Sequence, residues 1–172
     1  MEFKIDKTTI AIEDALISLL KEEDYENISI TDVIKRADIS RSTFYAHFKK
    51  KNDIIIAFIN DIMNHVFEHH QDNYVHMLEH IFSHFKGDRE EVKAILDSGA
   101  SHIFRKTLRN RLSIVIDSFY ASGLYGKKEV PSDVARHQYL NDLVALIQYY
   151  IYHGYEKYSP EQMVEYHFSL FR

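Results

Sequence analysis

Between Lys35 and Lys51 the chain places Lys35, Arg36, Arg41, Lys49, Lys50 and Lys51 against a single acid, Asp38. Lysine and arginine gathered on so short a stretch suit phosphate neutralisation. Interleaved with them are Ser40, Ser42, Thr43, Tyr45 and His47, whose hydroxyls and imidazole are the partners needed beside phosphates and base edges. The formal charge of the whole chain is −5, so the positive charge is strongly segregated. The plain alternative, a solvated charge run, leaves the placement of the Ser, Thr, Arg and aromatic residues unexplained. Tyr45 is the most informative single residue, because it lies one position from inward-facing Phe44, on a side where burial is not expected.

Histidines supply a second chemistry to weigh. His76, His80 and His84 stand four apart, and two imidazoles at that spacing on one helix face can chelate a metal ion. The apolar stripe of the same segment is centred near Tyr74, Ile81 and Phe85, however. At 100° per residue the three histidines fall mainly on the opposite side and are expected in solvent. His65 and His69 fall near the edge of the apolar arc of the preceding helix, and His70 within it. With no cysteine and no clear carboxylate set to complete a site, no metal is expected. Nor does a Ser/His/Asp order, a phosphate-binding glycine loop or a carboxylate pair stand out, so neither an enzyme nor a cofactor is expected.

The elements that position these residues are helical. All five glycines and both prolines lie at or after Gly87, which leaves the first half without ordinary strand-and-turn punctuation. Ile12, Ala15, Leu16, Leu19 and Leu20 form the stripe of a first amphipathic helix ending near Glu23. Ser29 with Asp32 makes a capping-box pattern for a short second helix, and Ser40 can cap a third, in which Phe44 and Phe48 point into one small core. After a charged break at 49–52, Ile55, Ile59, Ile62, Met63 and Val66 mark a fourth helix running to about His70. Further stripes predict a fifth helix from Tyr74 to Gly87, a sixth opened by Asp88 and Glu91 and closed by Gly99, and a seventh stopping before Gly123. A loop follows from Gly123 to Pro131, then an eighth helix from about Ser132 to His153. Ser159-Pro160-Glu161-Gln162 announces a ninth, with Ser at the cap, Pro at N1 and Gln at N3. The expected fold is all-α, about nine helices, with residues 1–52 as a helix-turn-helix head and residues 53–172 as a helical body.

The run from Ser29 to Ile55 closely resembles the DNA-binding region of the TetR family of transcriptional regulators. The resemblance is carried by Ser42-Thr43-Phe44-Tyr45-x-His47-Phe48, then Lys51 and an aliphatic pair, in a register set by Ala37-x-Ile39-Ser40; it extends over roughly residues 8 to 60. It implies a homodimeric helical regulator, a repressor more often than an activator, bound to double-stranded DNA. Carried over residue by residue, Arg41, Ser42 and Thr43 approach bases or backbone at the start of the recognition helix, with Ser40 just before them. Tyr45 and His47 contact phosphate or base, Lys51 binds phosphate, and Ser29 and Thr31 touch the backbone. Two positions depart from the family pattern. The turn residue that is usually glycine is Asp38, which tolerates a left-handed conformation better than most residues. Ile34 stands where a small alanine is usual.

For the body, the resemblance implies an effector pocket among the middle helices. Its expected lining is Ile62, Val66, His69, Phe82, Phe104, Leu108, Phe119 and Tyr120, although aromatic stripes at helical spacing are as readily simple core. A protein partner in place of a small molecule is the second reading, motivated by the body's modest length and histidine-rich faces. The last two helices resemble the family's dimerisation unit, and by periodicity their apolar perimeter is expected to exceed what one protomer covers. The expected interface is Leu143, Ile147, Tyr150, Ile151, Met163, Phe168 and Phe171, which would set two recognition helices about 34 Å apart on a palindromic operator. No long apolar run is present, the opening residues are polar, and cysteine is absent, so a cytoplasmic protein without membrane contact is expected.

Overall fold

In the computed structural model Asp6 opens the first helix by accepting from the backbone N–H groups of Thr8 and Thr9, at 2.7 and 3.0 Å. These bonds, led by that from Thr9, hold its carboxyl below the ordinary aspartate value. The structure describes residues 6–69, 73–121 and 131–170. Among them are nine α-helices and no strand: α1 (Lys7–Leu20), α2 (Ile30–Arg36), α3 (Arg41–His47), α4 (Lys51–His69), α5 (Tyr74–Gly87), α6 (Arg89–Leu96), α7 (Ser101–Ala121), α8 (Ser132–Tyr149) and α9 (Pro160–Ser169). The expected all-α fold is observed. Side chains of His69, Phe119, Tyr120 and Phe171, and residue His70, lie outside the described set.

The caps read from the sequence form as expected in three of four places. Ser29 and Asp32 make a reciprocal capping box at α2, and Ser159 and Gln162 make another at α9 behind Pro160 at N1. Ser40 accepts from the N–H of Thr43 at 3.0 Å to start α3. The exception is α6, where Asp88 makes no side-chain cap bond because it simultaneously ends α5. Two boundaries also differ. The charged break at 49–52 is shorter than expected, because Asp53 accepts from the N–H groups of Lys49 and Lys50 and α4 begins at Lys51. The far end of α8 widens into a π-helical turn over Tyr150–Gly154.

One core runs through the molecule. In the head, Ile12, Leu16, Val33, Phe44 and Phe48 close on Ile54 and Ile55 of α4. Helix α4 packs on α7 and α5, α9 covers α5, and α8 lies against α7 and α9, while α1 reaches back to α4 and α6. The side chains expected to face a partner turn out to be used inside the protomer: Leu143, Ile147, Tyr150, Ile151 and Met163 are buried, and Phe168 is half-buried. The reason is tertiary. Tyr150 stands edge-on to Phe82 with ring centroids 5.4 Å apart, and Phe168 packs against Tyr74 at 6.1 Å, so α5 and α9 take up the surplus perimeter. Apolar groups left on the outside of these helices are instead Val134 and Tyr149 on α8, Tyr166 on α9 and Leu170 just beyond it.

Candidate nucleic-acid interface

Helix α3 is held from one side. Phe44 is fully buried, in contact with Phe48 at 6.2 Å between centroids, and this fixes the rotation of the helix so that Arg41, Ser42, Tyr45 and Ala46 face solvent. Tyr45 keeps 47% of its surface exposed, as its position beside Phe44 predicts. Its ring stands edge-on to Phe44 at 5.3 Å, and the Arg41 guanidinium lies 5.9 Å from its centroid. Ser40 Oγ lies 2.8 Å from Ser42 Oγ and 2.7 Å from Thr43 Oγ1, so the three hydroxyls form one cluster at the helix start. Thr43 is half-buried, while Ser29 and Thr31 are exposed at the start of α2.

The turn between α2 and α3 rests on Asp38, the one described non-glycine residue with positive φ, at 51°. That is the left-handed conformation a glycine would adopt without strain. It is followed at once by Ile39 and the Ser40 cap, so the angle between the two helices is set within three residues.

Not all of the basic residues face outward. Arg36 donates to both carboxylate oxygens of Glu22, at 2.9 and 2.6 Å, and to Ser18 at 2.6 Å; this pairing raises its already high pKa. Lys51 turns inward. Its ammonium donates to the carbonyl oxygens of Tyr25 and of Ile28, the latter at 2.6 Å, and burial pushes its pKa down. The structure thus gives Lys51 a structural partnership where a phosphate contact is expected. His47 faces back toward the start of α1, with Nδ1 3.3 Å from both Asp6 Oδ2 and Thr9 Oγ1. Beside the paired Arg36, the exposed cations of the stretch are Lys35, Arg41, Lys49 and Lys50. Of these only Arg41 follows from the motif; the other three were visible only in the charge count.

Residues 12–58 match the family described as "Bacterial regulatory proteins, tetR family". Over that stretch the N-terminal head is similar to the TetR family. The solved structure of a TetR transcriptional regulator from Streptococcus agalactiae is 27% identical, with a TM-score of 0.70 over 96% of this chain and 94% of that one. YvdT of Bacillus subtilis, an uncharacterised HTH-type transcriptional regulator, is 29% identical over 59% of this chain, which spans less than half, 46%, of that relative's length. FadR of Bacillus subtilis, solved in complex with stearoyl-CoA, is 18% identical at a TM-score of 0.63 and shares the fold. The helical body behind that head shares its arrangement with these solved structures.

In the body, Ile62, Val66, Phe82, Phe104 and Leu108 are packed into the core. Clefts lie elsewhere. One of about 410 Å³ runs between α4 and α7 and is lined by Asn52, Ile56, His102, Lys106 and Arg111 among others; another lies where the end of α1 meets α6. The histidines also depart from expectation. His76 is exposed, but His80 and His84 are half-buried against His65 of α4, with centroids 5.5 Å (His65 to His80), 5.0 Å (His65 to His84) and 4.6 Å (His80 to His84) apart. Helical periodicity located α5's apolar stripe correctly but could not show that α4 packs along its histidine-bearing edge. No helix among the described residues is long and apolar enough to cross a membrane.

Proposed function

We propose that this chain is a DNA-binding transcriptional regulator that acts as a homodimeric repressor on a palindromic operator. The observation that carries the reading is the outward face of α3, where Arg41, Ser42 and Tyr45 are exposed while Phe44 anchors the helix. In a helix-turn-helix the second helix enters the major groove with its N-terminal residues at the base edges. Arg41 supplies a fork of donors suited to guanine, and Ser42 a hydroxyl for base or phosphate. Lys35, Lys49 and Lys50 flank that face and suit phosphates, with Ser29 and Thr31 at the start of α2; His47 turns Nδ1 to Asp6, which leaves Nε2 as its nitrogen for a phosphate.

Dimerisation in this reading uses the outer side of α8 and the end of α9, where Val134, Tyr149, Tyr166 and Leu170 are exposed. Selection of duplexes from a random pool, followed by titration at several salt concentrations, tests the function. A recovered two-fold motif and a steep salt dependence support it. Binding without sequence preference, or undiminished affinity in an Arg41→Ala/Tyr45→Ala variant, refutes it.

A body that docks a protein in place of a small molecule is the second reading, favoured by the close packing of the five core residues expected to line a pocket. Stearoyl-CoA, the ligand of the Bacillus subtilis FadR structure, is the probe that separates the two. Release of operator on adding it supports a small-molecule effector, which must prefer one spacing of the heads over another to act.

A further inference from the structure

We propose that His65, His80 and His84 form a binding site for one divalent transition-metal ion of the zinc type. One potential ligand nitrogen from each lies within 4.8 Å of the other two. The set spans two elements: His80 and His84 stand one turn apart on α5, and His65 comes from α4, which packs on it. Three imidazoles around a tetrahedral zinc have nitrogens about 3.4 Å apart, given metal–nitrogen bonds of roughly 2.0–2.1 Å. Small side-chain rotations close that difference, and His65 is exposed at the edge of the cluster.

The surroundings suit the same ion. Asp88 Oδ2 lies 3.8 Å from Nδ1 of His84, one turn further along the chain. A carboxylate there orients a ligand imidazole and leaves its other nitrogen for the metal. Nitrogen-only donors select ions of intermediate softness and reject magnesium and calcium, which require oxygen. Three protein ligands leave a fourth position on the solvent side, for water or an anion. Zinc is the commitment; cobalt serves as its spectroscopic substitute, and copper and nickel follow the general affinity order for such donors. The inference stands apart from the DNA reading, since metal binding is measured without DNA.

The test uses the full chain without a polyhistidine tag, stripped of metal and titrated with cobalt(II), with zinc(II) then competed against a chromophoric chelator. The expected result is one ion per chain, the d–d absorption of a four-coordinate cobalt site, and displacement of cobalt by zinc but not by magnesium. His65→Ala, His80→Ala and His84→Ala should each weaken zinc binding at least about tenfold, while His76→Ala, on the exposed side of α5, leaves it unchanged. Zinc should raise the melting temperature of the parent and of His76→Ala but not of His65→Ala. Circular dichroism checks the fold, and His→Gln variants replace any alanine variant that does not fold. A parent chain that binds no zinc, or a His65→Ala/His80→Ala variant that binds it as tightly as the parent, overturns the proposal.

Discussion

The Lys51 ammonium lies 3.9 Å from the centroid of the Tyr25 ring. It reaches that ring while donating to the carbonyls of Tyr25 and Ile28, and the Tyr25 hydroxyl in turn donates to Asn52. The first turn of α4 is thereby tied to the loop between α1 and α2. Lys51→Ala strands two carbonyls and removes the cation from the ring, so it should destabilise the fold by roughly 1–3 kcal/mol. Thermal unfolding followed by circular dichroism measures this. At a temperature where both proteins are folded, the salt dependence of DNA binding should be unchanged in Lys51→Ala. It should fall by about one released ion in Lys50→Ala.

Asp38 gives the second prediction. Its left-handed φ costs a β-carbon-bearing residue some energy, partly offset because glycine loses more entropy on folding. Asp38→Gly should raise stability by roughly 0.5–1 kcal/mol, and it should tighten DNA binding by removing the one acid from the basic stretch. Asp38→Val should do the reverse on stability, since a β-branched residue tolerates that conformation poorly. Denaturant midpoints for the three proteins decide the order.

What the sequence made legible follows from distance along the chain. The Ser29 and Ser159 caps, the Ser40 cap, the left-handed turn at Asp38 and the outward Tyr45 depend on neighbours within a few residues, and each formed as expected. The inward turn of Lys51, the Arg36 pairing with Glu22 and the meeting of His65 with His80 and His84 join residues far apart in the chain. Helical periodicity states which side of a helix is apolar, but not which neighbour covers it. For the same reason it assigned Leu143, Ile147 and Tyr150 to a partner chain when α5, α7 and α9 of the same protomer cover them.

Two buried titratable groups give the third prediction. Burial, reinforced by Asp61 and Asp14, pushes Glu13 up to about 8. Unfolded, it titrates near its ordinary value of 4.5, so between those values the native state holds a proton that the unfolded state has lost, and stability falls as pH rises. Burial lowers His167 to about 4. Unfolded, it gains its proton near 6.5 while the native state stays neutral, so this group removes stability as pH falls from 6.5 toward 4. The two slopes oppose each other between about 4.5 and 6.5, and from 6.5 up to about 8 the Glu13 slope is the one of the two that remains. Chemical denaturation across this range should show a decline above pH 6.5 that Glu13→Gln abolishes, with a gain of roughly 1–3 kcal/mol for the variant at pH 8.

The fourth prediction concerns assembly. Tyr166 and Leu170 stand one turn apart at the end of α9, with 40% and 67% of their surfaces exposed. Charges placed there oppose a twofold contact without disturbing the core. Light scattering should report a dimer for the parent and a monomer for Tyr166→Glu/Leu170→Glu, with unchanged helical content. Binding to a palindromic duplex should weaken far more than binding to a half-site.

Helix α4 carries a consequence for how the protein can be cut or moved. The expected boundary between head and body, after residue 52, falls in the first turn of a 19-residue helix, a rod of about 28 Å. A protease has no joint to open there, and a fragment ending at residue 52 would discard Ile54 and Ile55 from the floor of its own core. The head is better regarded as the tip of a lever. Any shift of the body that tilts the rod swings α3 with it, and the arc it sweeps grows with the distance to the pivot.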